Sequence, residues 1–528
     1  MGQDIQGAYF EKKQYISKGI PDFKSTKDYL PKPIFEEDKN FVDCYWKAWE
    51  IAFQNIYEPT EESGFVSQYI DAAFNQRIFL WDMSFITMFS KYATPYVPGI
   101  SGLDNFYAKQ HLNGEICREI DRETGKDHYK WVNHENESLF SRYGIKWRGI
   151  KMPVIYKGRN KPIPNPRLTL EGMNHPILSW AEMESFQLTA DTSRLRMVWE
   201  PLIHYFAALK KYLRQGNGLF VTDWAQMDNT PRNKYLMYGG TAVDISAEMA
   251  LFARNLSEMA KILNKEFEER LYQKEAVEIS RIINEIMWHE EDQFYYDLTL
   301  TEDYIPYKTV GGFWPLIAGV ADQEKAKALV NELENENTFN RIHRVPTLSA
   351  EAPGYSPLGG YWCGSVWAPT NTMVIRGLER YGYYNLAREI ANNHLKNVVT
   401  VYNKTGTIWE NYAPDSVTAG QPARRDFVGW SGMAPITYFI EYTIGIKADA
   451  PNRTITWKIM SEDRVGIEDF WFADTTVDLV CEKPDRHGKR NIKVYSDKKS
   501  FQMIIDYKGN TIEKEIIPGE SIEFSLAL

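Results

Sequence analysis

The sequence predicts a mainly helical protein, a barrel of helical hairpins joined by long aromatic loops, with a small all-β module behind it. Three observations carry this. Met249, Phe252, Leu256, Met259 and Leu263 recur at steps of three and four, and Ala276, Ile279, Ile283 and Ile286 repeat the pattern. Such spacing puts one apolar stripe on each helix. Between helices lie long Gly- and Pro-rich segments. Residues 151–166 hold Pro153, Pro162, Pro164 and Pro166, and residues 351–369 hold four glycines with Tyr355, Tyr361, Trp362 and Trp367. Loops this long in a compact domain are functional or disordered, and these are too aromatic for disorder, so they are expected to line a site. At residues 447–452 the period changes from about 3.6 to 2.

Taken in order, residues 1–40 read as a polar arm, interrupted by Pro21, Pro31 and Pro33, that packs on the body. Residues 41–446 form the helical domain. Within it Asp191 or Thr192 is an N-cap candidate for a helix carrying Leu195, Val198, Leu202, Tyr205 and Leu209. Residues 451–528 form the β domain. Ile455/Trp457/Ile459, Val477/Leu479/Cys481, Phe501/Met503/Ile505 and Ile522/Phe524/Leu526 alternate with polar neighbours, and Gly509-Asn510 is a hairpin signal.

Composition narrows the function. The 528 residues include 16 Trp, 32 Tyr and 26 Phe. Trp and Tyr beside Asp and Glu suit flat hydroxylated ligands such as sugars, whose C–H faces stack on rings. A net charge of −10 argues against a phosphate-tracking nucleic-acid surface. No run of eighteen apolar residues suggests a membrane span. The start Met1-Gly2-Gln3-Asp4 lacks a charged-then-apolar leader. It reads as cytoplasmic, or as periplasmic or secreted if Met1-Gly2 stands in place of a removed signal. Cys44, Cys117, Cys363 and Cys481 are too scattered for a disulfide framework or a zinc knuckle. Phosphate-loop, dinucleotide, zinc-helix and nucleophile-elbow motifs are absent. Carboxylate chemistry in aromatic loops remains.

Five segments are candidates. In Gln226-Met227-Asp228-Asn229-Thr230-Pro231-Arg232, apolar neighbours would raise the Asp228 pKa for acid work. The same Asp could cap a helix starting near Pro231, which local sequence favours. Trp409-Glu410-Asn411-Tyr412 places a Glu in a Gly-flanked turn, as a base, a sugar-hydroxyl acceptor or a plain surface residue. Trp81-Asp82 opens an apolar helix, where Asp82 is also a natural dipole partner. Tyr361-Trp362-Cys363-Gly364-Ser365-Val366-Trp367 sets aromatic walls on glycines, with Cys363 read as an inert thiol because no basic residue lies near it. Gly429-Trp430-Ser431-Gly432 holds a rigid aromatic between small residues, equally suited to helix packing.

In this order the segments resemble those of the six-hairpin glycosidases: glycoside hydrolase family 63, with processing α-glucosidases and mannosylglycerate hydrolases, and more distantly the trehalases. The resemblance covers roughly residues 41–446. It departs at Cys363, where the family usually has Arg, and at residues 223–226, where it has a Gly-rich turn. Both changes should reshape the substrate pocket. The β tail is similar to the β-sandwich caps of other helical-barrel glycosidases.

The resemblance implies an (α/α)6 barrel and an inverting α-glycosidase, most simply α-glucosidic, acting on an oligosaccharide or glycoside. Asp228 would be the general acid and Glu410 the general base. Trp81, Asp82, Tyr361, Trp362, Trp367, Asn411 and Trp430 would hold the sugar, with Asn229 and Arg232 placing hydroxyls. Inversion needs about 6.5–9.5 Å between the two carboxyl groups. No metal or cofactor is called for, a structural calcium being left open. A glycoside phosphorylase on the same barrel and a non-catalytic sugar-binding protein are the rival readings.

Overall fold

Local capping and amphipathic spacing set the helices. The computed structural model describes residues 6–11, 14–72, 74–128, 175–222, 227–236 and 239–526. Among them are ten helices of eleven residues or more: α1 (Lys39–Gln54), α2 (Leu80–Ser90), α3 (Leu178–Thr189), α4 (Thr192–Leu213), α5 (Val243–Ile262), α6 (Glu266–Ile286), α7 (Gln323–Glu334), α8 (Ala368–Arg380), α9 (Tyr384–Thr405) and α10 (Ala434–Ile444). Asp191 caps α4 by accepting from the Ser193 and Arg194 N–H groups, as its sequence position predicts. Asp38 and Asp322 do the same for α1 and α7. Gly406, at φ +72°, ends α9 in the left-handed conformation that only glycine adopts freely. The predicted stripes are buried except at their ends: Met249, Phe252, Leu256 and Met259 of α5, and Ala276, Ile279 and Ile283 of α6, are all 0% exposed, while Leu263 and Ile286 are half-buried.

Short links join α3 to α4, α5 to α6 and α8 to α9, so three helical hairpins are present. The 151–166 loop and residues 223–226 lie outside the described residues. No described helix is long and apolar enough to cross a membrane.

The β region contains nine strands: β1 (Lys32–Phe35), β2 (Ile446–Asp449), β3 (Thr454–Ile459), β4 (Val465–Phe472), β5 (Thr475–Cys481), β6 (Arg490–Ser496), β7 (Phe501–Tyr507), β8 (Asn510–Ile516) and β9 (Ile522–Leu526). They form a five-stranded sheet, β1-β4-β5-β6-β9, and a four-stranded sheet, β8-β7-β3-β2. Phe472 of the first meets Phe501 of the second at 5.7 Å between ring centroids. The Gly509-Asn510 signal corresponds to the tight β7–β8 turn, where Tyr507 pairs with Asn510.

Two expectations are corrected. Residues 32–35 do not merely pack on the helical body but form β1, which pairs antiparallel with β4 in the register Lys32 to Glu468 and Phe35 to Val465. The β region also begins earlier than the expected residue 451. β2 starts at Ile446, directly after the left-handed Gly445 that ends α10, and pairs with β3.

A buried ion network ties the helices together. The Arg376 guanidinium of α8 donates to Glu184 of α3 (2.8 and 3.1 Å) and to Glu441 of α10 (2.6 and 3.0 Å). Lys91, just after α2, donates to Glu184 at 2.9 Å, and Tyr92 to Glu441 at 2.5 Å. Glu379 takes Arg376 at 3.2 Å and also Lys447 of β2. Removing one member of such a cluster strands the others in a low-dielectric interior. Replacing Arg376 with Met should therefore cost about 3–5 kcal/mol, read from urea unfolding.

A second buried polar pair sits between α9 and the chain before α8. His343 Nε2 and His394 Nδ1 are 2.6 Å apart, and the His343 ring lies tilted against Tyr412 at 5.6 Å. Burial holds His394 down at about 3, and burial plus its neighbour holds His343 well below the usual histidine range. Both are neutral when folded and free to protonate when unfolded. Each therefore costs stability as pH falls below the unfolded value of about 6.5, by roughly 1.4 kcal/mol per pH unit. In His394→Asn the slope of unfolding free energy against pH, between about pH 6 and 4, should become shallower by roughly one proton.

Candidate functional site

The aromatic and carboxylate segments converge where several helices begin. Trp81 and Asp82 open α2, Trp367 precedes α8, and the Trp430–Met433 turn leads into α10. Trp362 and Trp367 stack in parallel at 4.1 Å and 6°, and Trp367 meets Trp430 at 5.6 Å. Gly364 lets this loop close, because at φ +146° an added Cβ would lie 2.9 Å from the Ser356 carbonyl oxygen. Tyr361 holds a left-handed φ of +65° without being glycine. Such strain persists only where the surroundings hold it.

What holds Tyr361 is Glu410. The tyrosine hydroxyl donates to Glu410 Oε1 at 3.1 Å. Arg424 Nη1 donates to the same oxygen at 2.8 Å, and the Arg424 backbone N–H to Oε2 at 3.2 Å. The Glu410 carbonyl accepts from Trp430 Nε1 at 3.1 Å and Ser431 Oγ at 3.2 Å. This is the local use of the Gly-Trp-Ser-Gly turn. Val366 and Tyr412 exchange backbone hydrogen bonds and tie the Glu410 turn to the Trp loop. Glu410 is only 2% exposed. Burial raises its pKa, while Arg424 and the hydrogen bonds from Arg424 and Tyr361 pull it back.

Asp228 is different. It caps no helix, and among the described residues its carboxyl accepts no hydrogen bond. It is open to solvent on one side, yet protein atoms crowd the rest of the concavity. Burial raises its pKa, Arg118 opposes this, and the charges of Glu410 and Glu119 add to it. Asn233 Nδ2 fixes the loop by donating to the Met227 carbonyl at 2.7 Å and the Asp228 carbonyl at 3.1 Å. Asn229 spans to the facing loop: Nδ2 donates to the Gly360 carbonyl and Oδ1 accepts from the Trp362 N–H, both at 2.9 Å.

Asp82 is the third carboxyl. It is buried, and among the described residues neither its Oδ1 nor Trp81 Nε1 has a hydrogen-bond partner. Burial, with Asp71 and Glu410 adding, pushes Asp82 well above the usual carboxylate range. The Cys363 thiol donates to the Asn229 carbonyl at 3.2 Å, and burial raises its pKa, so its chemistry is inert. Among the described residues no group of three or more His, Cys, Asp or Glu could hold a metal ion.

Three predicted sugar contacts have no surface to offer, because Arg232, Trp367 and Asn411 are each 0% exposed. Arg232 pairs with Asp244 at 2.5 Å and Asp297 at 3.0 Å, which fixes the Asp228 loop to the start of α5. Trp367 backs Trp362. Asn411 Nδ2 donates to the Pro422 carbonyl at 3.1 Å and shapes the turn. Sequence reasoning missed Arg118 and Arg424, which carry no motif. A separate cavity of about 840 Å³, lined by Tyr15, Tyr96, Asp191 and Trp471 among others, includes none of the candidate residues.

With this geometry in view, comparison with known proteins is informative. Residues 168–431 match the mannosylglycerate hydrolase MGH1-like glycoside hydrolase domain. An uncharacterized protein of Borreliella burgdorferi is 30% identical over 345 residues, covering 62% of this chain and 71% of the relative. Mannosylglycerate hydrolase MGH1 of Selaginella moellendorffii is 37% identical over 115 residues, covering 22% of each chain. The crystal structure of a family 63 mannosylglycerate hydrolase from Thermus thermophilus, in complex with glucose, shares the fold. Its TM-score is 0.55 at 19% identity, over 75% of this chain and 99% of that one. The chain thus belongs to the mannosylglycerate hydrolase MGH1-like glycoside hydrolases.

Proposed function

We propose that the protein cleaves α-linked glycosides with inversion, in a cleft at one end of an (α/α)6 barrel, with the β region that starts at Ile446 and takes in β1 as a non-catalytic module. Asp228 is the general acid and Glu410 the general base. One observation carries the assignment: the two carboxyls are held unequally. Glu410 receives three hydrogen bonds that favour its anion, from Tyr361, the Arg424 side chain and the Arg424 backbone. Asp228 receives none from the described residues and feels the negative charge of Glu410, which favours its protonated form.

In this reading Asp228 protonates the glycosidic oxygen as the bond to the anomeric carbon breaks. Glu410 takes a proton from the water that attacks the opposite face. Trp81, Asp82, Trp362 and Trp430 wall the sugar, with Tyr361 beside the base. Arg118 and Arg424 flank the two carboxyls, which suits an acidic aglycone such as the glycerate for which the Selaginella relative is named.

Asp228→Asn and Glu410→Gln should each lower turnover at least about 100-fold with unchanged far-UV circular dichroism. Aryl α-glucosides and α-mannosides, glucosylglycerate and mannosylglycerate form the substrate panel. Proton NMR before mutarotation should show the β-anomer first from an α-glycoside, whereas a first-formed α-anomer would remove the water-activating role from Glu410. The acid limb of kcat/KM reports protonation of Glu410. Since Arg424 lowers the Glu410 pKa, Arg424→Met should move that limb to higher pH.

A further inference from the structure

Behind Trp81 lies a buried acid–imidazole pair that the catalytic scheme does not use. His175 stands just ahead of α3, and Glu248 is in the second turn of α5. His175 Nδ1 and Glu248 Oε1 are 2.5 Å apart, and the two residues are 2% and 1% exposed. The imidazole lies against Trp81 at 4.1 Å between centroids and 35°, and almost parallel to Trp314 at 6.1 Å and 16°. Trp81 in turn meets Phe85 edge-on at 4.7 Å. Its own Nε1 is buried and has no hydrogen-bond partner among the described residues.

Stability alone does not explain the pair. Burying a carboxylate and an imidazole costs several kcal/mol, and apolar residues of the same volume serve a core as well or better. What the pair supplies is a polar ring held at a set angle on the face of an indole, where an imidazolium gains a cation–π contact. The other charged or titratable groups acting on Glu248 are Asp244 of its own helix and Arg232, and Glu248 acts in turn on Tyr205 of α4. Burial raises the Glu248 carboxyl to about 7, with His175 and Arg232 pulling it down and Asp244 pushing it up.

We propose that Glu248 and His175 are positioning residues for sugar binding: Glu248 orients the His175 ring, and that ring fixes the plane of Trp81, the indole that backs the glycone. This rests on the reading of Trp81 as a wall of the sugar site. Neither residue touches the reacting atoms.

The test is a double-mutant cycle read by calorimetric binding of glucose and mannose to the full chain, so that it does not depend on hydrolysis. Glu248→Gln keeps the shape and removes the charge. It should weaken the monosaccharide that binds about tenfold, as should Trp81→Phe, and the double variant should bind no more weakly than Trp81→Phe alone. Glu248→Asp should recover part of the loss. Losses that add in the double variant, or wild-type binding by folded Glu248→Gln, would overturn the inference and leave the sugar site standing. If the wild-type chain and all variants bind neither sugar, the reading of Trp81 as a sugar wall fails, and the inference fails with it. Should Glu248→Gln not fold, His175→Gln takes its place in the same cycle with the same expected coupling.

Discussion

The architecture depends on the buried Arg376 guanidinium, which no single helix could satisfy. Its donors reach Glu184 on α3 and Glu441 on α10, and Lys91 beyond α2 completes the charge balance. An ion cluster that is buried and multiply hydrogen-bonded fixes relative position more sharply than apolar contact does, because partial loss of it is so costly. The consequence is seen at the other ends of the same helices. Glu184 is six residues into α3, Arg376 eight into α8 and Glu441 seven into α10; α8 and α10 start directly after aromatic segments of the candidate site, and α3 starts just after His175, which lies against Trp81. At about 1.5 Å per residue, the cluster stands roughly 9–12 Å from those starts. Aligned helices that share one fixed end deliver their N-termini, with their positive dipole ends, to one place. Carboxyls gather there.

Gathering carboxyls is unfavourable unless each is treated differently, and the loops provide the difference. Glu410 sits in a turn held by Trp430, Ser431 and the Arg424 strand segment, so its oxygens face donors that were already in place. Asp228 sits on a loop held by Asn233 from behind, by the Arg232 side chain at the start of α5 and by the Asn229 side chain across to the Trp loop, none of which bonds its carboxyl. The strained φ of Tyr361 belongs to the same arrangement. Turning that residue outward would separate its hydroxyl from Glu410 and free a buried acceptor, which costs about as much as the strain itself.

How much of this was legible in the sequence follows from range. The α5 and α6 stripes, the Asp191 cap and the β7–β8 hairpin are set by residues a few positions apart, and all were readable. The pairing of β1 with β4 joins residues more than 400 positions apart, and nothing local in Lys32–Phe35 distinguishes it from an extended arm. Motifs indicated Asp228 and Glu410 as candidates, but not their unequal environments. Arg424, His175 and Glu248 matter only through neighbours that the fold supplies. Arg232 shows the opposite error. A positive residue beside a candidate acid reads as a ligand contact, yet two buried aspartates on and beyond α5 take both terminal nitrogens of its guanidinium.

The β region then has a physical reason to lie where it does. α10 is wound with wide i→i+5 turns, closes with the Gly445 N–H donating to the Ile440 carbonyl, and passes without a linker into β2. A π-wound segment is less stable than an α-helix of the same length and needs support from outside. The β region gives it. Trp457 of β3 donates to the Ile444 carbonyl at 2.9 Å, Phe35 of β1 packs edge-on against Phe439 at 5.7 Å, and Phe470 of β4 lies 6.0 Å from Tyr92, which bonds Glu441. Since α10 begins at the turn whose Trp430 and Ser431 hold the Glu410 carbonyl, the two sheets brace the candidate base from the far end of one helix. That is why β1 must come from the front of the chain: a strand leading straight into α1 fastens the sheet to the helical body at a second point, and a brace hinged only at β2 would not hold α10 in register.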